Sequence, residues 1–261
     1  MCRIIAISGK ADQSLLVGLL SEFQNLAESG IVRLGSAPGH KDGWGLFGYK
    51  NGIITLREKE ASSAIKNPKF EIATRALSAT SPGIVVGHLR KASIGKNLIE
   101  NTQPYWLGNL TFCHNGTVKN FQNISLSSKY AKFRKGTSDS EWLFLYIAEL
   151  FSSQLSLTPK EKIEKIVREE RTLDYSAFII IFTDGQNVWA LREVNEQDAD
   201  IREENALDGY YTLFLGTTFE GIRIVCSEKL EVQGIQWEAI KNHELVEIEC
   251  GDKANISKYL M

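Results

Sequence analysis

Apolar positions along the chain repeat with two different periods, and each period predicts its own kind of element. Residues 14–28 carry leucine and phenylalanine at the 3.6-residue spacing of an amphipathic helix. Residues 2–8 form a short apolar run ended by Gly-Lys, which is typical of a strand. Further helices are predicted over residues 69–80, 138–154 and 159–170, and further strands over residues 46–50, 53–58, 84–92, 110–116, 176–185, 187–193, 210–218, 221–228 and 244–250.

Turn residues divide these segments. Asn51-Gly52 and Asp184-Gly185 each separate two strand-like runs, and this predicts two hairpins. Residues 138–154 are apolar around most of the helix, so we expect this helix to lie between other elements rather than on the surface. Residues 192–208 form an acidic polar run, for which we expect a solvated loop or insertion.

The order of these segments predicts an α+β fold. Strand-rich halves with helices in blocks favour two antiparallel sheets that face each other, with helices covering the outer sides. No repeat, low-complexity tract or Pro-rich linker interrupts the chain. We therefore expect residues 1–261 to form a single domain.

Composition narrows the class of protein. The 261 residues are 43% hydrophobic and carry a net charge of -2, which gives no argument for binding nucleic acid or an anionic membrane surface. No apolar run approaches the ~20 residues that a membrane span needs, and no secretory leader pattern is visible. The four cysteines and four histidines are scattered without metal-ligand spacing. We expect a cytoplasmic protein with free thiols and with no metal or cofactor.

Cys2 stands directly behind the initiator methionine. Removal of Met1 would give one residue both a thiol and a free α-amine. This amine titrates near ~7.7–8.0, so it can be neutral and accept a proton at physiological pH. A nucleophile activated by its own N-terminal amine is a recognised catalytic device. The alternative is that Cys2 has only a structural role, as a small apolar residue at the start of a buried strand.

Residues 113–116, Cys-His-Asn-Gly, close a predicted strand. The Asn115 side-chain amide and the Gly116 backbone N–H can act as paired donors to the oxyanion of an acyl-transfer intermediate, where one donor is worth roughly 3–4 kcal/mol. Asn-Gly is also a common hairpin turn, and this stretch alone favours the turn.

Two further segments carry charges suited to an amino-acid substrate. Arg90 ends a predicted buried strand and can hold a carboxylate through two parallel hydrogen bonds, with Ser93 adding a hydroxyl. The alternative for Arg90 is a surface salt bridge. Asp139 can hold an ammonium group, and its alternative is capping of the helix that begins there. Each alternative is favoured when its segment is taken alone.

Taken in order, these features resemble the class II glutamine amidotransferases, which are N-terminal-nucleophile hydrolases. The similarity extends by motif from Cys2 to about Leu150, and the stand-alone bacterial branch of the family is the most similar. The resemblance implies the four-layer αββα sandwich of that fold. The motifs are Met-Cys-Arg at 1–3, His-Lys-Asp-Gly-Trp-Gly at 40–45, His-Leu-Arg-Lys-Ala at 88–92, Glu-Asn-Thr-Gln-Pro at 100–104, Phe-Cys-His-Asn-Gly at 112–116 and Thr-Ser-Asp-Ser-Glu at 137–141.

The resemblance also implies a role for each candidate residue. Cys2 would attack the side-chain amide of glutamine and form a γ-glutamyl thioester, and its α-amine would move the proton. Asn115 and Gly116 would stabilise the oxyanion. The list of implied substrate-binding residues is Arg90 with Ser93 for the α-carboxylate and Asp139 for the α-ammonium group.

The sequence departs from synthase-linked members of the family at two places. Where those members read Trp-Ala-Thr-His-Gly after the arginine, this chain has Lys91, Ala92, Ser93, Ile94 and Gly95. Its glycine-rich loop has His40 and Lys41 and lacks the arginine that those members carry upstream. The resemblance therefore does not determine the shape of the acyl pocket, or whether the protein is strictly specific for glutamine.

Three hypotheses about function follow. The first is a stand-alone amidohydrolase acting on glutamine or a γ-glutamyl small molecule, as in relatives that hydrolyse γ-glutamyl amides. The second is a subunit that supplies ammonia to a separate acceptor or synthase protein, since the amidotransferase unit is expected to use the whole chain. The third is a non-catalytic module that binds glutamine-like metabolites.

Overall fold

Two antiparallel sheets, stacked face to face, form the centre of the structure. The computed structural model describes residues 2–33, 35–93, 96–198, 209–251 and 255–261. In chain order its elements are β1 (Arg3–Ser8), α1 (Gln13–Ser29), β2 (Gly43–Lys50), β3 (Ile53–Glu60), α2 (Pro68–Thr80), β4 (Ile84–Arg90), β5 (Tyr105–Leu107), β6 (Leu110–Val118), α3 (Ser128–Ala131), α4 (Asp139–Ser153), α5 (Pro159–Glu170), β7 (Tyr175–Thr183), β8 (Asn187–Val194), β9 (Phe214–Thr218), β10 (Arg223–Cys226), β11 (Ile235–Ala239), β12 (Glu244–Glu249) and β13 (Ile256–Leu260), with single 3₁₀ turns at Ile99–Asn101 and Phe121–Asn123.

The strand order places the strands that carry the candidate residues inside the two sheets. One sheet has the order β11-β9-β10-β1-β4-β2-β3, and the other has the order β13-β12-β8-β7-β6-β5. β1 pairs with β4, and β6 pairs with β7. β1 also contacts β6 across the two sheets, so the start of β1 and the second half of β6 can contribute side chains to the space between them.

Alternation along β1 separates two layers of the core. Ile4 and Ala6 lie in the cluster between the sheets, whereas Ile5 and Ile7 lie in the cluster under α1 and α2. A third cluster joins α4 and α5 to the outer face of the second sheet. Because β1 is buried on both faces, its sequence is a continuous apolar run rather than an alternation. The expected α+β fold with four layers in αββα order is confirmed.

The predicted hairpins and the long apolar helix are also present. Asn51 and Gly52 have positive φ values of 53° and 76°, as a two-residue turn between β2 and β3 requires. The turn at Asp184-Gly185 joins β7 to β8, and the Asp184 carboxylate accepts from two backbone N–H groups beyond it. α4 is buried from its first turn to Leu150, because it lies between the second sheet and its neighbouring helices.

Several elements differ from the sequence-based expectation at sheet edges. β5, β11 and β13 were not predicted. β11 and β13 are edge strands with one largely exposed face, so no apolar run marks them. β9 begins only at Phe214, because Tyr210 and Tyr211 pack into the core between the sheets without joining the ladder.

Within the described ranges, no helix combines the length and apolar character that crossing a membrane requires.

The acidic run predicted as a solvated loop is partly wrong. Arg192 to Val194 belong to β8, and Glu193 is fully buried. Its carboxylate accepts from Arg171 at 2.9 and 3.1 Å, lies 2.8 Å from His243 Nδ1, and accepts from the Tyr175 hydroxyl at 3.2 Å. A charged residue was therefore mistaken for a solvated one, because its partners are distant in sequence. Residues 199–208 lie outside the described residues.

Because the Glu193 carboxylate is buried, we expect its substitution to lower the stability of the protein. We expect Glu193→Gln to lower the free energy of unfolding by roughly 1–3 kcal/mol, because a neutral amide replaces the buried carboxylate that Arg171 and Tyr175 donate to. Glu164→Gln is the matched control. It breaks the exposed i,i+4 pair with Lys160, 3.0 Å apart, and should cost below about 0.5 kcal/mol. Urea denaturation of both variants measures the difference, and equal losses would contradict the buried-pair interpretation.

Candidate active site

Cys2 lies at the mouth of the space between the sheets. It directly precedes β1 and has the same parity as Ile4 and Ala6, which face the second sheet. Its thiol is 3.6 Å from the Lys91 carbonyl oxygen, just beyond the end of β4. Burial raises the pKa of the thiol, while the charge of Arg90 lowers it and the charge of Asp139 raises it. Both candidate substrate-binding charges therefore act on Cys2.

Asn115 lies inside β6, not in a hairpin turn. β6 continues to Val118, so the turn interpretation of Asn-Gly is wrong. Cys113 faces the space between the sheets, and Asn115, two residues later, shares that face. Asn115 is fully buried, yet its amide oxygen and nitrogen have no hydrogen-bond partner among the described residues. Buried amides are rarely left unpaired, so this side chain is available to a ligand.

Gly116 lies against the neighbouring strand more closely than any other residue type allows. A β-carbon at this position would be 1.7 Å from the Ala177 carbonyl oxygen of β7. The pairing of β6 with β7 also shifts register between Gly116 and Val118. This irregularity turns the backbone after Asn115, as bulges next to sites commonly do.

A buried hydrogen-bond network holds the strand around Asn115. Gln103 accepts from the His114 backbone N–H at 2.6 Å and donates to the His114 carbonyl at 3.2 Å. The His114 ring donates through Nε2 to the Ala177 carbonyl at 3.2 Å, and its Nδ1 is 2.9 Å from Ser140 Oγ. Burial lowers the pKa of His114. The sequence pointed to Gln103 and Ser140 only as members of motifs, because their partners belong to other elements.

Arg90 is buried at the end of β4 and does not lie on the surface. Its side chain is 4% exposed, and its guanidinium donates to Asn97 Oδ1 and to the Lys96 carbonyl, each at 3.2 Å. The surface salt bridge considered from the sequence is therefore wrong. Ser93 lies on the exposed loop that follows, with its hydroxyl 3.2 Å from Thr117 Oγ1. This contact brings the loop beside β6.

Asp139 is free of the capping role that the sequence allowed for it. Ser138 is the N-cap of α4 and accepts from the Glu141 backbone N–H at 3.2 Å. The Asp139 carboxylate accepts from the Val118 backbone N–H at 2.8 Å and lies 3.4 Å from Ser140 Oγ. Asp139 is 3% exposed and lies in the first turn of α4.

The second half of β6 is where the candidate residues meet. Asn115 and Gly116 belong to it, Asp139 contacts Val118, and Ser93 contacts Thr117. Arg90 lies three residues before Ser93, and the Cys2 thiol contacts the Lys91 carbonyl between them. The described structure thus brings the six residues chosen from the sequence to one end of the sandwich: a thiol, a guanidinium, a carboxylate, a hydroxyl, an unpaired amide and a backbone N–H.

His40, in the glycine-rich loop before β2, contributes packing rather than charge. His40 is fully buried, and its Nδ1 is 3.1 Å from the Leu26 carbonyl. Burial lowers the pKa of His40 to about 3, so this ring is uncharged at neutral pH. The guanidinium that contacts the Cys2 backbone belongs to Arg3, whose Nη1 donates to the Cys2 carbonyl at 3.2 Å.

A separate cleft of about 340 Å³ opens beside β5 and the first turns of α4. Tyr105 and Trp106 line it, and Lys59 reaches across from the first sheet to donate to the Thr102 carbonyl at 2.6 Å. Burial lowers the pKa of Lys59 to about 8. None of the six candidate residues lines this cleft, so it is distinct from the site around Cys2.

Comparison with known proteins identifies a family whose sequences are similar to this chain. Residues 1–204 match the family model described as class II glutamine amidotransferases. The chain is 26% identical over 210 residues to the Escherichia coli K12 protein YafJ, a named candidate glutamine amidotransferase, covering 75% of this chain and 74% of that protein. It is 28% identical over 166 residues to an uncharacterised Methanocaldococcus jannaschii protein, covering 59% of this chain but only 43% of that relative.

A solved structure shows the same fold. Glutamine phosphoribosylpyrophosphate amidotransferase from B. subtilis superposes with a TM-score of 0.63 at 16% identity, and the match covers 98% of this chain and 49% of that one. The two proteins therefore share the four-layer fold described above. The chain belongs to the class II glutamine amidotransferase family.

The approach of β6 to β7 predicts a strict requirement for glycine at position 116. We expect Gly116→Ala to cost about 3 kcal/mol of stability, at the upper end of overpacking effects, because the new methyl group meets backbone that cannot rotate away. Gly18→Ala is the control, since a β-carbon there meets nothing within 4 Å and helix propensity should add up to about 1 kcal/mol. Thermal unfolding of both variants tests this, and a stable Gly116→Ala protein would contradict the described approach.

Proposed function

We propose that this protein is an amidohydrolase that uses Cys2 to cleave the γ-amide of glutamine or of a γ-glutamyl compound. The observation that carries the proposal is the fully buried amide of Asn115, which has no hydrogen-bond partner among the described residues and lies on the strand that contacts both Asp139 and the loop after Arg90. Residues 1–261 act as one unit in this proposal, in the cytoplasm, and the reaction needs no metal or cofactor.

The chemistry takes place in two steps at Cys2. After removal of Met1, the free α-amine accepts the thiol proton as sulfur attacks the amide carbon. The C–N bond then breaks, the leaving nitrogen takes that proton, and ammonia or an amine departs from a γ-glutamyl thioester. Water next adds to the thioester, glutamate leaves, and the thiol is regenerated. A thiol whose pKa is raised by burial needs such a proton acceptor close by.

The oxyanion formed in each step needs donors that are already in place. The Asn115 side chain and the Gly116 N–H serve this purpose, because Asn115 has no partner to give up. The network through His114 and Gln103 holds this part of β6 in position.

The two ends of the substrate backbone are held by opposite charges. Arg90, with Ser93, binds the α-carboxylate, and Asp139 binds the α-ammonium group. Arg90 and Asp139 are buried, and charge-assisted hydrogen bonds are stronger in such surroundings. This arrangement selects an unmodified amino-acid end and leaves the group on the γ-amide nitrogen less defined.

A second candidate function is the supply of ammonia to a separate acceptor or synthase protein. The observation that favours it is that the B. subtilis amidotransferase extends well beyond the matched region, since this chain covers 49% of it. Activity that is low alone and rises on addition of a partner would favour this alternative.

Substitution of Cys2 tests the nucleophile. We expect Cys2→Ala to abolish glutamine hydrolysis and covalent labelling by a glutamine-like diazoketone, while the unfolding temperature stays close to that of the wild type. Cys250→Ala, which removes a thiol that donates to the Gly83 carbonyl, should retain both. Intact-mass spectrometry should show a wild-type protein without Met1 that gains one adduct. Glutamine binding without product or adduct would instead indicate a non-catalytic binding module.

Asp139→Asn tests the ammonium-binding role. The asparagine oxygen can still accept from Val118 N–H, so the fold should persist while the negative charge is lost. We expect KM for glutamine to rise about 10- to 100-fold, the equivalent of one charge-assisted hydrogen bond. The control is Asp174→Asn, an exposed carboxylate paired with Lys119 at 3.1 Å. An unchanged KM in Asp139→Asn, measured by ammonia release, would remove Asp139 from the substrate site.

A further inference from the structure

Arg3 is a buried cation directly beside the proposed nucleophile. Its side chain is fully buried, and Nη1 donates to the Cys2 carbonyl at 3.2 Å. Nη2 donates to the Ile31 carbonyl, and Nε donates to Glu228 Oε2 at 2.7 Å. One planar guanidinium thus connects Cys2, directly before β1, to Ile31 and to Glu228.

Glu228 completes this connection. Its Oε2 also accepts from the Ile31 backbone N–H at 3.0 Å. The preceding residue, Ser227, exchanges two hydrogen bonds with Ile4, each at 3.0 Å. The backbone on both sides of Arg3 is therefore held, and Cys2 has little freedom to move its carbonyl away.

We infer that Arg3, held by Glu228, is a positioning residue for the reaction: it fixes the Cys2 backbone, and its positive charge favours the neutral, proton-accepting form of the Cys2 α-amine. This inference rests on the proposed function, because only a processed, catalytic Cys2 has such an amine. The Cys2 carbonyl oxygen and amine nitrogen are separated by three covalent bonds, so a cation at the one is close to the other. A nearby like charge disfavours the protonated amine.

Other charged or titratable groups also lie near Cys2. Arg90 from β4 and Asp139 from α4 act on the thiol in opposite directions. His40, from the loop before β2, has a pKa lowered to about 3 and is uncharged in the working range. The Lys91 ammonium donates to the Gly39 carbonyl at 3.1 Å. Arg3 and Glu228 therefore supply a pair of opposite charges that can be altered one at a time.

The experiment is the pH profile of kcat/KM for glutamine hydrolysis in the wild type, Arg3→Met, Arg3→Lys and Glu228→Gln. The acid limb reports the amine that must be neutral to accept a proton. Loss of the cation in Arg3→Met should move this limb up by about one pH unit, which is about a tenfold loss of kcat/KM below the limb. Loss of the anion in Glu228→Gln should move it down. Arg3→Lys keeps the charge and should leave the limb near its wild-type position while lowering kcat.

The opposite signs separate this role from simple support of the fold. Equal or absent shifts in Arg3→Met and Glu228→Gln would overturn the inference, since a merely structural contact would not move the limb in two directions. If Arg3→Met does not fold, a downward shift in Glu228→Gln with an unmoved limb in Arg3→Lys still supports it, and any other result overturns it. Failure of the proposed function itself is distinct, because the wild type would then show neither turnover nor a diazoketone adduct on Cys2.

Discussion

The close approach of β6 to β7 at the Ala177 carbonyl is the contact on which the site depends. This oxygen occupies the place where any side chain on residue 116 would begin, and it also accepts from the His114 ring. Both contacts fix the course of β6 on either side of Asn115. Because the core between the sheets is packed from both faces, β6 cannot relax by moving away, and the irregularity after Gly116 persists as a fixed feature of the backbone.

Contacts with this strand position the other residues of the site. Val118 donates to Asp139, which places the first turn of α4, and Thr117 meets Ser93, which places the loop after β4. Arg90 lies at the start of that loop, buried beside Cys2. The guanidinium of Arg90 and the carboxylate of Asp139 are both buried. Each charge therefore acts more strongly on its surroundings, including the Cys2 thiol, than it would in water. The unpaired amide of Asn115 is the remaining cost of this arrangement, and a bound oxyanion would offset it.

Sequence reasoning succeeded where one period or one motif carried the information. The run at β1, the stripe of α1 and the Asn51-Gly52 turn are local patterns, and the structure has each of them close to its expected bounds. It failed where the deciding partner was distant. Glu193 was expected to be solvated, but Arg171 and His243 bury it, and β11 and β13 were missed because an edge strand needs no apolar run. Asn115-Gly116 was locally a turn, and only pairing with β7 makes it part of a strand.

By itself, the sequence determined the alternation of apolar runs that makes two sheets and their covering helices, the family to which the chain belongs, and the six candidate site residues. These follow from local chemistry, since periodicity and motif order need no knowledge of the partner segments. Only the tertiary structure decided that Asn115 has no hydrogen-bond partner among the described residues, that Ser138 rather than Asp139 caps α4, and that Arg3 contacts the Cys2 carbonyl through a guanidinium held by Glu228. The physical reason is that burial and hydrogen-bond pairing depend on segments far apart in the chain, here separated by up to 225 residues, and folding alone brings them into contact.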